Sequence, residues 1–383
     1  MRQVLLVQPS MQPPGGGNGL AAWMLQALVR HHRVTVLTWT PVDVDPINRF
    51  FGTTLRASDF DRLLVPRGWR RSFEAFPVRA ALLRSALMMR HVRCVSDPFD
   101  VLISALNEID FGRRCIQYVN YPTYLRPRPA VDLRSYHRVP WLLNGYYAFA
   151  DRVADFSLER MKANVTLANS NWIAARVHTL LGIDVRTVYP PVVRLANSLE
   201  WSRRRTAFLA IGRFSPEKEY ERVMDILARV RERVSDLTLT IIGSVERHER
   251  RYYGRIRAHA ESLGAWIAFR HDMSREAIAA SMAETRYGIH GMREEHFGMA
   301  PAEMMRAGMI VWVPKGGGQV EIVGGEPSLV YETEQEAADA IRRVIDDDAE
   351  QLRLRELLAS RGELFDEQRF MREIQEVVAE FRE

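Results

Sequence analysis

The sequence predicts an α/β protein of two doubly wound, Rossmann-like domains facing each other across a cleft. Three observations predict it. Short apolar runs alternate with stretches of helical period from one end to the other, the pattern of parallel sheets covered by helices. The pattern stops at Pro190-Pro191 and, after a polar connector from Arg194 to Arg205, starts again. The 383 residues also exceed one ordinary core. The expected domains are 1–193 and 205–365, with a last helix within 366–383 crossing back onto the first. Ligands of such sheets bind at the carboxyl ends of the strands.

In the first half, strands are expected at Val4–Val7, Val34–Leu37, Val101–Ala105, Ile116–Val119, Val165–Ala168 and Val185–Tyr189. Helices are expected around Leu20–Arg30, Val78–Val92, Trp141–Arg160 and Trp172–Leu181. The second half carries strands at Ala207–Ile211, Leu237–Ile242, Ile267–Arg270, Tyr287–His290, Ile310–Val313 and Leu329–Tyr331. Its helices fall at Glu217–Arg233, Arg250–Leu263, Arg275–Glu284, Met299–Ala307, Glu334–Asp346, Glu350–Arg361 and Glu367–Phe381.

Composition is that of a soluble globular chain, without a signal-type leader or a run long enough to span a membrane. Cys94 and Cys115 lack metal-type spacing and fit a reducing cytoplasm. The net charge of +5 is unevenly placed: from Arg62 to Arg93 there are eight arginines against one acid, Glu74. Arg79 and Arg90 share one side of the expected helix Val78–Val92, with Arg93 in line beyond it. A solvated helix face accounts for this; so does contact with anionic lipid headgroups or a lipid pyrophosphate on the inner membrane face. No nucleic-acid motif accompanies the charge.

Four clusters fall where strands end and helices begin. Gly15-Gly16-Gly17-Asn18-Gly19 follows the first strand, either as a flexible turn or as a loop whose amides close on a phosphate or acceptor. It is neither a Walker A loop nor a dinucleotide fingerprint. Gly212-Arg213-Phe214-Ser215-Pro216-Glu217-Lys218 follows the first strand of the second half. Its two cations could neutralise charge on a departing diphosphate, and Lys218 is one of only three lysines. Glu295 and Glu303 stand eight apart across a loop-to-helix junction, with Pro301 in the first turn. A ligand laid there could give phosphate to the amides of Phe297, Gly298 and Met299 and hydroxyls to the carboxylates, as a nucleotide sugar would. Lys315-Gly316-Gly317-Gly318-Gln319-Val320-Glu321 is the weakest cluster, since a plain turn explains it equally. Gly212, and Gly243 past the strand Leu237–Ile242, complete the donor side. His290 either contacts the sugar or is a packed or capping histidine.

The second half resembles the retaining nucleotide-sugar transferases of glycosyltransferase family 4, of the GT-B fold, through the Gly-Arg-Phe…Lys turn, the Glu-x7-Glu segment and the run ending Glu321-Ile322-Val323. The segment IHGMREEHFGMAPAEMMRAG is closest to the mannosyltransferases that extend dolichol-linked oligosaccharide from GDP-mannose. YVNYPTY (Tyr118 to Tyr124) and ANSNWIAARV…VYPPV are similar to that branch too. The resemblance implies Glu295 on donor-sugar hydroxyls, Glu303 on the ribose, Arg213 and Lys218 on the diphosphate, and Gly16 and Gly17 lining the donor–acceptor cleft. Asn120 stands where the branch carries a histidine; asparagine hydrogen-bonds but takes no proton at neutral pH, which points to a different acceptor.

Asp43-Val44-Asp45, in an expected proline-flanked loop, is set aside as a metal site, and the Asn164-Val165-Thr166 sequon as accidental. The expectation is therefore a cytoplasmic, retaining hexosyltransferase using GDP-mannose or a UDP-hexose, with no cofactor and no metal. The acceptor would be a glycan, a lipid-linked glycan or a small molecule. A sugar-nucleotide epimerase of the same fold and a non-catalytic nucleotide-sugar-binding partner are the alternatives.

Overall fold

Gln3–Val7 (β1) opens the first sheet because its apolar residues are enclosed on both faces, the signature of a parallel strand under helices. The computed structural model describes residues 1–75, 80–122, 140–194, 199–247 and 249–382. β1 is followed by Arg33–Thr38 (β2), Asp61–Leu64 (β3), Val101–Ser104 (β4), Ile116–Val119 (β5), Val165–Ala168 (β6) and Val185–Thr187 (β7), ordered β3-β2-β1-β4-β5-β6-β7. The second sheet runs through Arg205–Ile211 (β8), Thr238–Gly243 (β9), Ile267–His271 (β10), Thr285–Ile289 (β11), Ile310–Pro314 (β12) and Val330–Tyr331 (β13), ordered β10-β9-β8-β11-β12-β13. Every pairing in both sheets is parallel. Each sheet grows to one side of its first strand and then resumes on the other. The reversal lies between β1 and β4 in one sheet and between β8 and β11 in the other, and such a switch point opens a ligand crevice at the strand ends.

The chain divides into two compact units, Met1–Pro191 with Glu367–Glu383, and Val192–Asp366. Phe370, Ile374, Val377 and Val378 make one apolar stripe on the last helix, Glu367–Glu380. Gln375 of that helix donates to the Ala27 carbonyl at 2.8 Å, and Arg2 to the Val378 carbonyl at 2.7 Å. Among the described residues no helix is long and apolar enough to cross a membrane.

Several local expectations are corrected. The first helix begins at Gly16, not Leu20, so Gly16 and Gly17 belong to its first turn and only Gly15, at φ +137°, stays outside as the N-cap. Asp43-Val44-Asp45 is not loop: the Asp43 carboxylate accepts from the Asp45 amide and caps the helix Val44–Phe51. β3 and the helix Arg67–Ala75 were not foreseen. The expected helix Trp141–Arg160 is two, Pro140–Ala154 and Leu158–Lys162; Asp155 at φ +49° ends the first and Ser157 caps the second.

The basic helix runs Ala81–Val95. Arg79 lies outside the described residues, and Arg90 is exposed. Arg93 is not on a lipid-facing surface. Its guanidinium lies 2.9 Å from Asp110 and also pairs with Asp155, and Asp110, almost fully enclosed, is shared with Arg160 at 2.9 Å. A buried carboxylate needs such partners, so Arg93 is bound inward. Asn164 is likewise buried, donating to the Ile109 carbonyl at 2.8 Å.

Candidate active site

The end of β8 stays tied to β9: the Gly212 amide reaches Ile242 and the Phe214 amide reaches Ser244, each at 3.0 Å. A Cβ on Gly243 would lie 2.1 Å from the Gly212 oxygen, so only glycine lets these strand ends close. Phe214 is fully buried against Tyr220, Tyr253, Phe269 and His271 and anchors the loop between the two cations. A 3₁₀ turn, Pro216–Lys218, follows; Glu219 at φ +46° then turns the chain into the helix Tyr220–Arg231.

The chain leaving β11 lies directly on that turn. A Cβ on Gly291 would be 2.4 Å from the Lys218 carbonyl, so the glycine permits contact of the two backbones. Across it the Lys218 ammonium lies 2.5 Å from Glu295 Oε2, and His290 Nε2 lies 3.1 Å from the same oxygen. Lys218 and Glu295 are largely buried and His290 almost completely. Arg293, in the same loop, pairs with Glu219 at 3.2 Å.

Burial alone would raise the Glu295 pKa. The adjacent Lys218 ammonium and the His290 hydrogen bond outweigh it and hold the carboxyl well below the ordinary carboxylate range. Burial lowers the His290 pKa; Glu295 opposes that shift and Lys218 adds to it. His290 is therefore a neutral donor from Nε2, packed against the strand end and tied to the Glu295 carboxylate, the packed alternative of the two. Its carbonyl accepts from the Tyr331 hydroxyl.

The third glycine cluster shapes this loop. Gly317, at φ +77°, sits against the Glu295 backbone, and the Gly318 amide donates to the Glu295 carbonyl at 2.8 Å. Gln319, fully buried, places its amide nitrogen 2.7 Å from the Met292 carbonyl and 3.0 Å from that of Gly316. Sequence reasoning missed Gln319. Lys315 turns away to Glu332 at 2.9 Å.

The other expected donor residues stand at the same strand ends with different partners. Arg213, half exposed, pairs with Glu217 at 3.1 Å and Glu246 at 3.7 Å. Glu303, in the helix Met299–Arg306, pairs with Arg275 at 2.7 Å. Arg275 had no place in the sequence reading beyond opening a helix. Gly298, at φ +105°, caps Met299–Arg306 without a side chain, leaving the first amides of that helix without a side-chain acceptor. The Phe297 ring is core, packed edge-on against Phe365, so only its backbone can meet a ligand. Lys218, Glu295 and His290 are thus in direct contact, while Arg213 and Glu303 are held by other partners.

In the first unit Asn18 is structural. Its amide donates to the Gln12 carbonyl at 2.7 Å, and its oxygen accepts from Gln8 at 3.0 Å. Gly15 and Gly16 are exposed. The Asn120 backbone is held by Asn107 at 2.8 Å, and its side-chain nitrogen lies 4.0 Å from a Cβ built on Gly17. The first turn of the helix after β1 therefore comes close to the residue that follows β5. Among the described residues no three His, Cys, Asp or Glu side chains gather as metal ligands would.

The family model described as Glycosyl transferases group 1 matches residues 194–361. A curated relative, the GDP-Man:Man(3)GlcNAc(2)-PP-Dol alpha-1,2-mannosyltransferase of Candida glabrata, is 27% identical over 38% of this chain and 32% of its own length. The protein of the same name from Mus musculus is 25% identical over 59% of this chain and 49% of its own. The chain therefore spans about a third to a half of the curated relatives it matches. Among solved structures, Anabaena HepE in complex with UDP and glucose aligns over 100% of both chains with a TM-score of 0.68 at 16% identity, which shows the fold.

Proposed function

With residues 194–361 matching the model of the glycosyl transferases group 1, we propose that the protein moves a hexose, mannose first, from a nucleoside-diphosphate sugar to a hydroxyl of a glycan, lipid-linked or small-molecule acceptor, with retention. The observation that carries this reading is the Lys218–Glu295–His290 contact at the carboxyl ends of β8 and β11. There an ionised carboxylate and a cation meet in a largely water-excluded place.

Each residue has a task. Glu295 accepts hydrogen bonds from donor-sugar hydroxyls, and Glu303 from the ribose. Lys218 and Arg213 neutralise the diphosphate, and the amides of Phe297 to Met299 hold its oxygens. His290 keeps Glu295 in one orientation. Gly15, Gly16, Gly17 and Asn120 remain the acceptor-side residues of this reading. In the reaction the bond from the anomeric carbon to the phosphate oxygen breaks, and its electron pair leaves with the diphosphate. The acceptor oxygen attacks the same face of an oxocarbenium-like centre, and its proton passes to the departing phosphate oxygen. No metal and no protein base is used in this scheme, so turnover is expected to survive EDTA.

The donor in the relatives' names, GDP-mannose, supports mannose as first choice; UDP-hexose is the second. The unpaired cysteines, Cys94 and Cys115, suit a cytoplasmic setting. Contact with an anionic membrane rests now on Arg79 and Arg90, and unchanged vesicle binding by the Arg79→Glu/Arg90→Glu double variant would retire it.

The test is a thermal-shift panel of GDP, UDP, ADP and TDP, followed by product mass with the best nucleotide's sugar and a pyrophosphate-lipid glycan acceptor. A product heavier by one hexose supports the reading. A changed sugar without acceptor identifies an epimerase, and a bound nucleotide sugar with no turnover identifies a non-catalytic binder.

A further inference from the structure

Arg275 is the first residue of the helix Arg275–Ala283, which Ser274 caps through the Ala277 amide at 3.2 Å. It follows β10, whereas Glu303 follows β11, and β9 and β8 lie between those strands. At about 4.8 Å per strand, this is a span of roughly 14 Å across the sheet. The approach is prepared by backbone: Asp272, at φ +46°, donates its amide to the Gly243 carbonyl at 3.2 Å and turns the chain over the end of β9. The Arg275 guanidinium then reaches Glu303 Oε1 at 2.7 Å, with 24% and 15% of the two side chains exposed. An ion pair joining non-adjacent strands above the switch point differs from the surface pairs scattered over this arginine-rich chain.

A carboxylate that accepts from two vicinal hydroxyls must be ionised and must already point the right way. Glutamate has three rotatable bonds, and fixing them costs conformational entropy whenever the ligand does the fixing. The shortest contact is from one terminal guanidinium nitrogen to Oε1, and a carboxylate has acceptor positions on both oxygens, so Glu303 can hold Arg275 and still accept from a ligand. We propose that Arg275 is the positioning residue of the ribose subsite: it pre-orients Glu303 and so sets how strongly the protein distinguishes a ribonucleotide from one lacking ribose hydroxyls. This deepens the proposed function and rests on its assignment of Glu303 to the ribose.

The experiment is calorimetric binding of GDP and 2′,3′-dideoxy-GDP to the wild type, Glu303→Gln, Arg275→Ala and Arg275→Lys, with UDP and its dideoxy form in parallel. Two hydrogen bonds to a charged acceptor predict a wild-type preference for the ribonucleotide of roughly 10- to 100-fold. Glu303→Gln and Arg275→Ala should each bring that ratio to within about threefold of unity, and Arg275→Lys should restore part of it. A purely structural role for Arg275 would weaken both nucleotides equally. A wild-type ratio in Arg275→Ala, or in Arg275→Gln should the alanine variant fail to fold, overturns the inference and leaves Glu303 in place. Discrimination that also survives Glu303→Gln, or is missing from the wild type, removes the ribose assignment and the inference with it. Absence of nucleotide binding removes the proposed function itself.

Discussion

Replacing Lys218 by methionine keeps the stem and removes the charge that Glu295 faces at 2.5 Å. Breaking a buried pair from one side costs about 3–5 kcal/mol when the remaining charge is fully enclosed. Here 15% and 17% of the side chains are exposed and His290 still donates to Glu295, so about 2–3 kcal/mol is the appropriate figure. For a unit the size of Val192–Asp366 this is a fall in Tm of roughly 5–10 °C. The pH dependence is more telling. In the wild type the folded pKa of Glu295 is depressed. Its contribution is therefore present above the unfolded value, near 4.5, and is lost only as pH falls through the lower folded value. Without Lys218, burial dominates and lifts the folded pKa above the unfolded one. The variant's deficit is then largest at neutral pH and shrinks as Glu295 takes a proton on acidification. His290, whose protonation Lys218 opposes, shifts the result in the same direction. Thermal unfolding by circular dichroism from pH 4.5 to 8, with Glu295→Gln and the double variant, measures this. The double variant should recover part of the loss. A deficit that is constant with pH and additive with Glu295→Gln would refute the reasoning.

Three further outcomes are expected. Arg213→Ala should leave Tm within about a degree, because the side chain is half exposed, while steady-state turnover falls on the order of 10²-fold, as on loss of a transition-state donor. Gly317→Ala puts a Cβ 2.4 Å from the Glu295 carbonyl at φ +77°; donor KM should rise about tenfold and stability fall by about 1–3 kcal/mol. Gly316→Ala is also strained, at φ +98°, but its Cβ would have 3.1 Å to the Arg293 carbonyl and does not touch Glu295, so donor KM should change less. Asp110→Asn removes the enclosed charge shared by Arg93 and Arg160; urea unfolding should show a loss of about 2–4 kcal/mol, with nucleotide binding by the second unit unchanged.

Both sheets were readable because parallel strands under helices are continuous apolar runs, as in Val101–Ser104 or Ile310–Pro314. The missed pieces lacked that signal. β3 is a four-residue edge strand, Asp61–Leu64, half of it polar. The helix Val44–Phe51 was hidden by Pro46, although Asp43 as its cap was a legible start. Of the candidate site, residue types and strand-end positions could be read, but partners could not. Lys218 and Glu295 meet through a fold-level crossing, and nothing local distinguishes Arg275 from the many other arginines. Arg93 misled for the same reason: helical spacing gives its side of the helix but not Asp110 waiting there.

The most direct measurement is calorimetric titration of GDP-mannose, with UDP-glucose in parallel, into the wild type, Lys218→Met and Glu295→Gln, each first shown to be folded at the working temperature. The account expects saturable binding of one donor to the wild type and at least tenfold weaker binding to both variants, since each loses a charged contact worth about 1.5–3 kcal/mol. Equal affinity in all three proteins would contradict it.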